Sequence, residues 1–378
     1  MSVPDLGPSA HLVPPLYPAS VYAIPDLDAL DAIYDGGPGF IYARDGHPNA
    51  ARLAEQLTKL ERAAWGVVTG SGMGAITAGL LALVSAGDRV VASNRLYGKT
   101  TKLLRQELHR FGVTTTVVDA SDLDAVRAAL EEPARLLITE TISNPLCRVS
   151  DLPALADLAH RAGAKLFVDN TFATPVLCRP LEMGADLVME SLTKMIGGHS
   201  DVTLGFLGGA DPELLPTASA VVSTWGLAAN PFDCWLADRG LATLDLRART
   251  ATANAVRIAD WLAGQPGVSR VIYPGRADHP DHDLAKRMLP EGCGHMLCFE
   301  LAGGREAINR FLRTATGIPF SPSLGHVSTT CSHPDTTSHR YDSPAEKRRQ
   351  GITDGHIRLS VGCEPAGAIE AELAKGLS

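Results

Sequence analysis

The sequence of 378 residues has no uninterrupted apolar run that approaches the roughly 20 residues needed to cross a bilayer. Its N-terminus also lacks the basic region followed by an apolar core that is typical of a secretory signal. We therefore expect a cytoplasmic protein that does not bind membranes.

The sequence has no excess of positive charge, since 34 Lys and Arg residues stand against 42 Asp and Glu residues, a formal net charge of −8. Proteins that bind nucleic acid usually carry a net basic face that neutralises phosphates. Nucleic acid is therefore not expected as a partner. With 45% hydrophobic and 20% charged residues, the composition is that of a globular enzyme.

Cysteine is too scarce and too scattered for a disulfide framework, with seven residues spread through the chain. Cys293 and Cys298 flank His295, an arrangement that could suggest a metal site. No second Cys/His pair follows at zinc-like spacing, so small buried side chains near a strand are the favoured interpretation. We predict no metal.

Proline is concentrated near the start, where MSVPDLGPSAHLVPPLYPASVYAI (1–24) contains five prolines. Proline lacks the amide hydrogen that a helix interior or a central strand requires. Residues 1–48 are therefore predicted to form an extended arm.

Five short apolar runs follow one another at regular intervals: DRVVAS (88–93), TTTVVD (114–119), RLLITE (135–140), KLFVD (165–169) and DLVME (186–190). Runs of this kind, separated by helical or looped connections, are typical of a buried parallel sheet. The sequence therefore predicts a doubly wound α/β domain over residues 49–235. Because ligands of such sheets bind at the carboxyl ends of the strands, Ser93, Glu140, Asp169 and Ser191 are expected to converge.

Helix patterns surround these runs. NAARLAEQLTKLER (49–62) places Leu53, Leu57 and Leu60 on one face, and residues 237–265 show a long helix pattern. HMLCFEL (295–301) and HIRLSVGCE (356–364) read as two further strands. We predict a smaller C-terminal α+β domain over residues 236–378.

A glycine turn, TGSGMGA (69–75), precedes a helix pattern. Glycines allow a ligand to approach the backbone closely, and the free amides at the start of a helix attract anions. A phosphate could therefore bind at Gly72 and Met73. Taken alone this signal is weak, because glycine turns before helices are common and the pattern matches no nucleotide fingerprint.

Lys194 follows the last apolar run and precedes two glycines. A lysine that enters a cleft loses hydration, so its pKa falls and it becomes a nucleophile toward an aldehyde; the alternative is a lysine that reaches solvent. The hydroxyls of Ser191 and Thr193 suit a phosphate on that aldehyde. Asp169 could pair with a protonated pyridine nitrogen, worth roughly 4 kcal/mol at about 4 Å, or could merely cap a turn.

The chain resembles the pyridoxal-phosphate enzymes of cysteine and methionine metabolism, which include cystathionine γ-synthase, cystathionine γ-lyase and methionine γ-lyase. The resemblance covers nearly the whole sequence. Its motifs are PPLYPASVY (14–22), YARDGHPN (42–49), GSGMGAI (70–76), LYGKT (96–100), ETISNPL (140–146), DNTFATP (169–175), ESLTKMIGGHSD (190–201), SLGH (323–326) with SHPDTTSHR (332–340), and IRLSVGCE (357–364).

The resemblance implies the fold of pyridoxal-phosphate-dependent transferases, the aspartate aminotransferase-like type I fold, with pyridoxal 5′-phosphate as cofactor. It also implies a homotetramer whose active sites are shared across a dimer interface, with the arm of residues 1–48 contacting a neighbouring subunit.

The resemblance further assigns roles to particular residues. Lys194 would hold the cofactor covalently and move protons, with Tyr97, Asp169 and Tyr42 as further catalytic residues. The implied cofactor-binding residues are Lys194, Gly72, Met73, Tyr97, Asn144, Asp169, Ser191 and Thr193, with Tyr42 and Arg44 from a neighbouring subunit. Ser323 and Arg358 would bind the substrate carboxylate, for which a planar guanidinium is well suited.

Some positions depart from the family pattern. Pro322 stands where several cystathionine enzymes have glutamate, and Glu190 precedes the lysine segment where histidine or alanine is common. Lys99 replaces a cysteine of methionine γ-lyases. Lys99 and Lys102 could bind a distal carboxylate of the substrate, or could simply form a solvated helix face.

The resemblance implies a carbon–sulfur lyase that acts by γ- or β-elimination on amino acids such as cystathionine, methionine or homocysteine. The alternative is a γ-replacement transferase of the cystathionine γ-synthase or O-acylhomoserine sulfhydrylase type. A catalytically idle relative and an aminotransferase remain further possibilities.

Overall fold

A computed structural model describes residues 8–340 and 342–378, and its larger sheet has seven strands in the order β1-β7-β6-β5-β4-β2-β3. The strands are β1 (Trp65–Thr69), β2 (Arg89–Ser93), β3 (Thr114–Val118), β4 (Leu136–Glu140), β5 (Lys165–Asp169), β6 (Leu187–Ser191) and β7 (Gly205–Gly209). The neighbours from β6 to β3 pair in parallel, whereas β7 is antiparallel to both β1 and β6. The α/β prediction is confirmed, and the five strands predicted between residues 88 and 190 lie within one residue of their predicted bounds.

Strand β7 was not predicted, because its sequence GFLGG is rich in glycine, a residue that is depleted in strands. A Cβ on Gly209 would lie 2.5 Å from the Trp65 ring, and one on Gly208 would lie 2.9 Å from the Phe206 ring. The glycines therefore allow close packing at this point.

The helices are α1 (Leu27–Tyr34), α2 (Pro48–Glu61), α3 (Gly72–Leu83), α4 (Gly98–Lys102), α5 (Leu123–Ala129), α6 (Leu152–Arg161), α7 (Thr174–Leu177), α8 (Leu215–Thr224), α9 (Pro231–Leu241), α10 (Leu244–Ala263), α11 (His282–Met288), α12 (Gly304–Thr314), α13 (Pro344–Gln350) and α14 (Ala366–Leu377). Among the described residues, no helix is both long and apolar enough to span a membrane. Helix α2 confirms the predicted helix at 49–62: His47 caps its N-terminus, and Leu53 and Leu57 are fully buried.

The prediction of one long helix over residues 237–265 was wrong, because the chain forms α9 and α10 with a break between them. The Gly240 carbonyl accepts from Arg247 Nη2 at 2.6 Å and from the Thr243 hydroxyl at 3.2 Å. Arg247 Nε also donates to Thr243 Oγ1 at 3.0 Å. The Gly240 carbonyl also accepts from the Thr243 amide at 3.2 Å, so the buried guanidinium adds to the backbone bonding at the break between the two helices.

The C-terminal part contains a second, fully antiparallel sheet in the order β10-β11-β9-β8. Its strands are β8 (Val268–Ile272), β9 (Met296–Leu301), β10 (Thr330–Ser332) and β11 (His356–Ser360). One apolar core joins this sheet to α10, α12 and α14 through residues such as Ile258, Phe299, Phe311 and Leu373. The two predicted strands and the α+β character are confirmed, whereas the domain limits 1–48, 49–235 and 236–378 stay predictions.

Residues 8–26 of the proline-rich arm form no helix, and residues 1–7 lie outside the described part. The prediction of an extended arm over residues 1–48 was wrong for α1 (Leu27–Tyr34), a helix whose N-terminus is capped by the Asp26 side chain. The described part of the proline-rich arm makes three hydrogen bonds to α2 and α9 of its own chain. The Tyr17 amide donates to Asn49 Oδ1, Asn49 Nδ2 donates to the Pro15 carbonyl, and Trp235 Nε1 donates to the Pro14 carbonyl, each at 2.9 Å. These bonds hold the arm against α2 and α9.

Candidate active site

The carboxyl ends of three neighbouring parallel strands meet at one cavity of about 580 Å³, a size typical of a small-molecule site. Glu140, Asp169 and Ser191, the last residues of β4, β5 and β6, lie on its wall. Their predicted convergence is confirmed. The prediction was wrong for Ser93, which is buried off this wall and accepts a hydrogen bond from the Arg95 amide at 3.2 Å.

Lys194 is held in a tight turn that follows β6. Its amide donates to the Ser191 carbonyl at 3.1 Å, and its carbonyl accepts from the Gly198 amide at 2.8 Å. The side chain enters the cavity, where Nζ donates to Ser323 Oγ at 3.2 Å. Burial, and then the charge of Arg358, lower the pKa of Lys194, while Asp169 acts in the opposite direction. A larger fraction of neutral amine, the nucleophilic form, is the consequence.

A loop that precedes the second sheet's strand β10 packs directly on the turn of Lys194. Gly325 lies here at a φ of +74°, and a Cβ on it would lie 2.8 Å from the Lys194 carbonyl carbon. Glycine is therefore required for both conformation and space. The same loop carries Ser323, so the close approach brings Ser323 to Lys194.

Asp169 provides a half-buried carboxylate on the same wall as Lys194. Its Oδ1 accepts from the Thr171 amide at 3.0 Å. Burial raises the pKa of Asp169, whereas hydrogen bonds from Thr171 and the charge of Lys194 lower it. A second positive charge next to the Asp169 carboxylate, in addition to Lys194, would lower its pKa further and favour the ionised form.

The N-terminus of α3 forms a cradle for an anion. Ser71 Oγ accepts from the Gly74 amide at 3.0 Å, and within the described residues the amides of Gly72 and Met73 have no acceptor. A Cβ on Gly72 would lie 2.9 Å from Ser191 Oγ, so glycine keeps the space beside that hydroxyl open. Gly72, Met73 and Ser191, which were predicted to bind a phosphate, therefore lie together at this end of the cavity. Thr193 also lines the cavity, although its hydroxyl already bonds to the Leu204 backbone.

Glu140 fixes two of the predicted residues, a part that sequence reasoning did not assign to it. Its Oε1 accepts from the Tyr97 amide at 2.6 Å and its Oε2 accepts from the Asn144 amide at 3.1 Å. Burial and the nearby charge of Asp169 raise the pKa of Glu140 well above its usual range. The one available signal was its place at the end of a predicted strand.

Arg358, on β11, closes the cavity from the C-terminal part. It is only 3% exposed, its Nη1 donates to Asn144 Oδ1 at 2.8 Å, and its Nη2 donates to the Ser323 carbonyl at 3.0 Å. These bonds orient a planar cation beside Lys194. The arrangement is suited to binding a carboxylate.

The structure does not bring every predicted residue to this cavity. Tyr42 and Arg44 line a separate cavity of about 450 Å³, and the Arg44 guanidinium lies 5.2 Å from the Tyr42 ring centroid. Lys99 and Lys102 are exposed on α4, away from the cavity wall.

Metal-ligating residues do not cluster in the part of the chain that the structure describes, where no group of three or more His, Cys, Asp or Glu could hold an ion. His295 is buried, which lowers its pKa to about 3. Cys298 is fully buried, and its Sγ donates to the Pro145 carbonyl at 3.0 Å.

The residues of the cavity fit pyridoxal phosphate. An amine of lowered pKa suits its aldehyde, the open amides of Gly72 and Met73 suit its phosphate, and the Asp169 carboxylate suits its ring nitrogen. The type I fold and this site together define a pyridoxal-phosphate enzyme.

Comparison with known proteins identifies the family. Residues 5–378 match the family described as Cys/Met metabolism PLP-dependent enzyme. The chain belongs to this family, and its cofactor is pyridoxal phosphate.

Individual relatives within the family differ in activity. The chain is 39% identical over 341 residues to the O-succinylhomoserine sulfhydrylase of Pseudomonas aeruginosa, which covers 90% of this chain and 84% of the relative. It is 39% identical over 342 residues to the L-methionine gamma-lyase of Fusobacterium nucleatum subsp. polymorphum, which covers 90% and 86%. Cystathionine gamma synthase from Xanthomonas oryzae pv. oryzae superposes with a TM-score of 0.92 at 36% identity, covering 97% of this chain and 92% of the other.

Proposed function

We propose that the protein is a carbon–sulfur lyase that removes the sulfur substituent of an amino acid such as methionine, cystathionine or homocysteine by γ- or β-elimination. The observation that carries this proposal is the Lys194 amine, which has a lowered pKa and lies 3.2 Å from Ser323 Oγ in a cavity that also holds Arg358 and Asp169. A basic amine beside a carboxylate-binding cation can move protons on a bound amino acid.

Each residue has a proposed part in this chemistry. Bound pyridoxal phosphate supplies an aldehyde for covalent attachment and a sink for the electrons released at Cα. Arg358 and Ser323 hold the substrate carboxylate, and Lys194 takes the Cα proton and moves protons at Cβ. Asp169 stabilises the proton on the ring nitrogen, which strengthens the electron sink.

The remaining wall of the cavity favours an uncharged sulfur substituent. Among the described residues, its charged members are Glu140, Asp169, Lys194 and Arg358, which all have parts already described. Uncharged groups complete the wall, including Pro322, Leu324, Thr336, Thr337 and Ser338. A thioether without a second charged end, as in methionine, suits such a wall best.

A γ-replacement transferase is the second candidate. Its support is the similarity to the sulfhydrylase of Pseudomonas aeruginosa and to the synthase of Xanthomonas oryzae. The same early proton transfers precede both outcomes, and the product depends on whether a thiol reaches the bound intermediate.

Product analysis separates the two candidates. We expect ammonia and an α-keto acid from L-methionine, L-cystathionine, L-homocysteine or L-cysteine. If the holoenzyme gives neither product with these, but forms a thioether or homocysteine from O-acetyl-L-homoserine and a thiol or sulfide, the lyase proposal is wrong and replacement is correct.

Arg358→Lys tests the carboxylate site. A lysine cannot make the two bonds to Asn144 and Ser323 while also offering a planar fork, so KM should rise about 10- to 100-fold, the equivalent of one charge-assisted hydrogen bond. Steady-state kinetics with L-methionine measures this. Arg257→Lys, which changes an exposed arginine paired with Glu370, is the control. An unchanged KM in Arg358→Lys would contradict the assignment.

We also propose a cytoplasmic homotetramer with sites shared across a dimer interface, to which Tyr42 and Arg44 of a neighbouring subunit contribute. Tyr34 and Trp225 support self-association, since they are 72% and 52% exposed despite their large apolar rings. A native mass of four chains is the expected result, and a monomer in solution would contradict it.

A further inference from the structure

Two carboxyl groups are buried side by side behind the active-site wall. Glu61, the last residue of α2, and Glu190, on β6, are both 0% exposed, and their carboxyl groups lie within hydrogen-bonding reach of each other. Glu61 Oε1, Glu61 Oε2 and Glu190 Oε2 have no donor among the described residues. Two adjacent carboxylates without donors are strongly unfavourable, and a proton on either one supplies the missing donor.

Glu190 connects this pair to the active site through Asn170. Its Oε1 accepts from Asn170 Nδ2 at 2.9 Å. Asn170 directly follows Asp169 and is fully buried; its Nδ2 also donates to the Cys178 carbonyl at 3.0 Å, and its Oδ1 accepts from Thr141 Oγ1 at 2.7 Å. Asn170 therefore joins the carboxyl ends of β4, β5 and β6, where Asp169 lies.

The groups that face the pair come from several elements. Asp169 approaches from β5, and Cys178 and Arg179 approach from the segment after α7. The charge of Arg179 acts on Glu61 and lowers its pKa, and Arg179 Nε donates to the Leu60 carbonyl at 2.8 Å. Burial raises the pKa of Glu61 to about 7, and burial together with the charges of Glu61 and Asp169 raises the pKa of Glu190 well above its usual range.

We propose that Glu61 and Glu190 share a proton in the folded protein at and above neutral pH, and that Glu190 is a positioning residue that fixes Asp169 through Asn170. The first half stands on the buried pair alone. The second half rests on the proposed function, because it concerns the carboxylate that faces the cofactor.

The shared proton makes stability depend on pH. Carboxyl groups that hold a proton more tightly in the folded state than in the unfolded chain stabilise the fold at low pH, and this contribution is lost as pH rises toward the folded pKa. Above pH 7 the unfolded chain has released both protons, whereas the folded pair retains one. Each pH unit should therefore raise the unfolding equilibrium constant by about tenfold.

Glu190→Gln tests the shared proton, because the amide supplies a permanent donor to Glu61. Urea unfolding of the two holoproteins at pH 7, 8 and 9 measures their unfolding equilibrium constants. The ratio of the constant of the unaltered protein to that of Glu190→Gln should rise by about tenfold per pH unit. Glu213→Gln, at an exposed glutamate, should follow the unaltered protein. Parallel pH dependences of the unaltered protein and Glu190→Gln would overturn the shared proton.

Infrared spectroscopy gives a second measurement that does not require reversible unfolding. The carbonyl stretch of a protonated carboxyl group at pH 8 should lose intensity in both Glu61→Gln and Glu190→Gln and keep it in Glu213→Gln. Equal intensity in all four proteins would overturn the same claim.

The positioning role is tested by the visible absorption of the bound cofactor across pH. Glu190→Gln keeps an oxygen acceptor for Asn170 and should keep the unaltered response. Glu190→Ala removes that acceptor and should shift the midpoint of the response by about one pH unit or more. If both variants match the unaltered holoprotein, the positioning role is wrong while the proposed function stands; if the unaltered protein binds no cofactor, the proposed function itself fails.

Discussion

Lys194→Ala is expected to lower kcat for L-methionine by about 10³-fold or more, because the change removes both the covalent hold on the cofactor and the base that moves protons. The half-buried Lys194 amine beside Ser323 and Arg358 is the group that the structure supplies for both tasks. Steady-state and single-turnover rates measure the loss. A small primary amine added to the variant should restore part of the rate, since the truncated side chain leaves space in the cavity.

Lys59→Ala is the matched control, since Lys59 is an exposed lysine on α2 that pairs with Glu55. It should retain the unaltered rate. Activity of Lys194→Ala within tenfold of the unaltered enzyme would show that another group removes the Cα proton.

Asp169→Asn is expected to lower kcat by about a thousandfold. The Asp169 carboxylate attracts a protonated ring nitrogen by roughly 4 kcal/mol at about 4 Å, and a neutral amide of the same shape loses this attraction. The hydrogen bond from the Thr171 amide to Oδ1 can persist in the variant, so the fold should be preserved. We expect the rate to fall far more than cofactor content, which absorbance and phosphate analysis measure.

Asp186→Asn is the control for this change. Asp186 lies just before β6, at the amino ends of the parallel strands and so far from the cavity at their carboxyl ends. Its carboxylate accepts from Lys165 Nζ at 2.9 Å and from the Leu166 amide at 2.8 Å. Its replacement should reduce stability and leave kcat near the unaltered value. A similar loss of kcat in both variants would indicate a general effect of stability rather than a role of Asp169.

The sequence predicted the parallel strands well, because a buried strand of this kind is apolar on both faces and shows a clear local pattern. Asp169 and Lys194 could be placed at the carboxyl edge for the same reason, since each follows or ends such a run. The motifs shared with the family then assigned the cofactor. These inferences needed only local pattern and the resemblance.

Other features depend on contacts between distant parts of the chain. Strand β7 depends on glycines that pack against Trp65, and the break between α9 and α10 depends on the Arg247 guanidinium. Local pattern carries no information on either contact. The Glu61–Glu190 pair joins residues 129 positions apart, and only the folded chain shows that the two carboxyl groups are adjacent.

Borohydride reduction of the holoprotein, followed by peptide mapping, tests the central claim most directly, because it makes the bond between the cofactor aldehyde and its lysine permanent. We expect the pyridoxyl group on Lys194. A pyridoxyl group on any other lysine would contradict it.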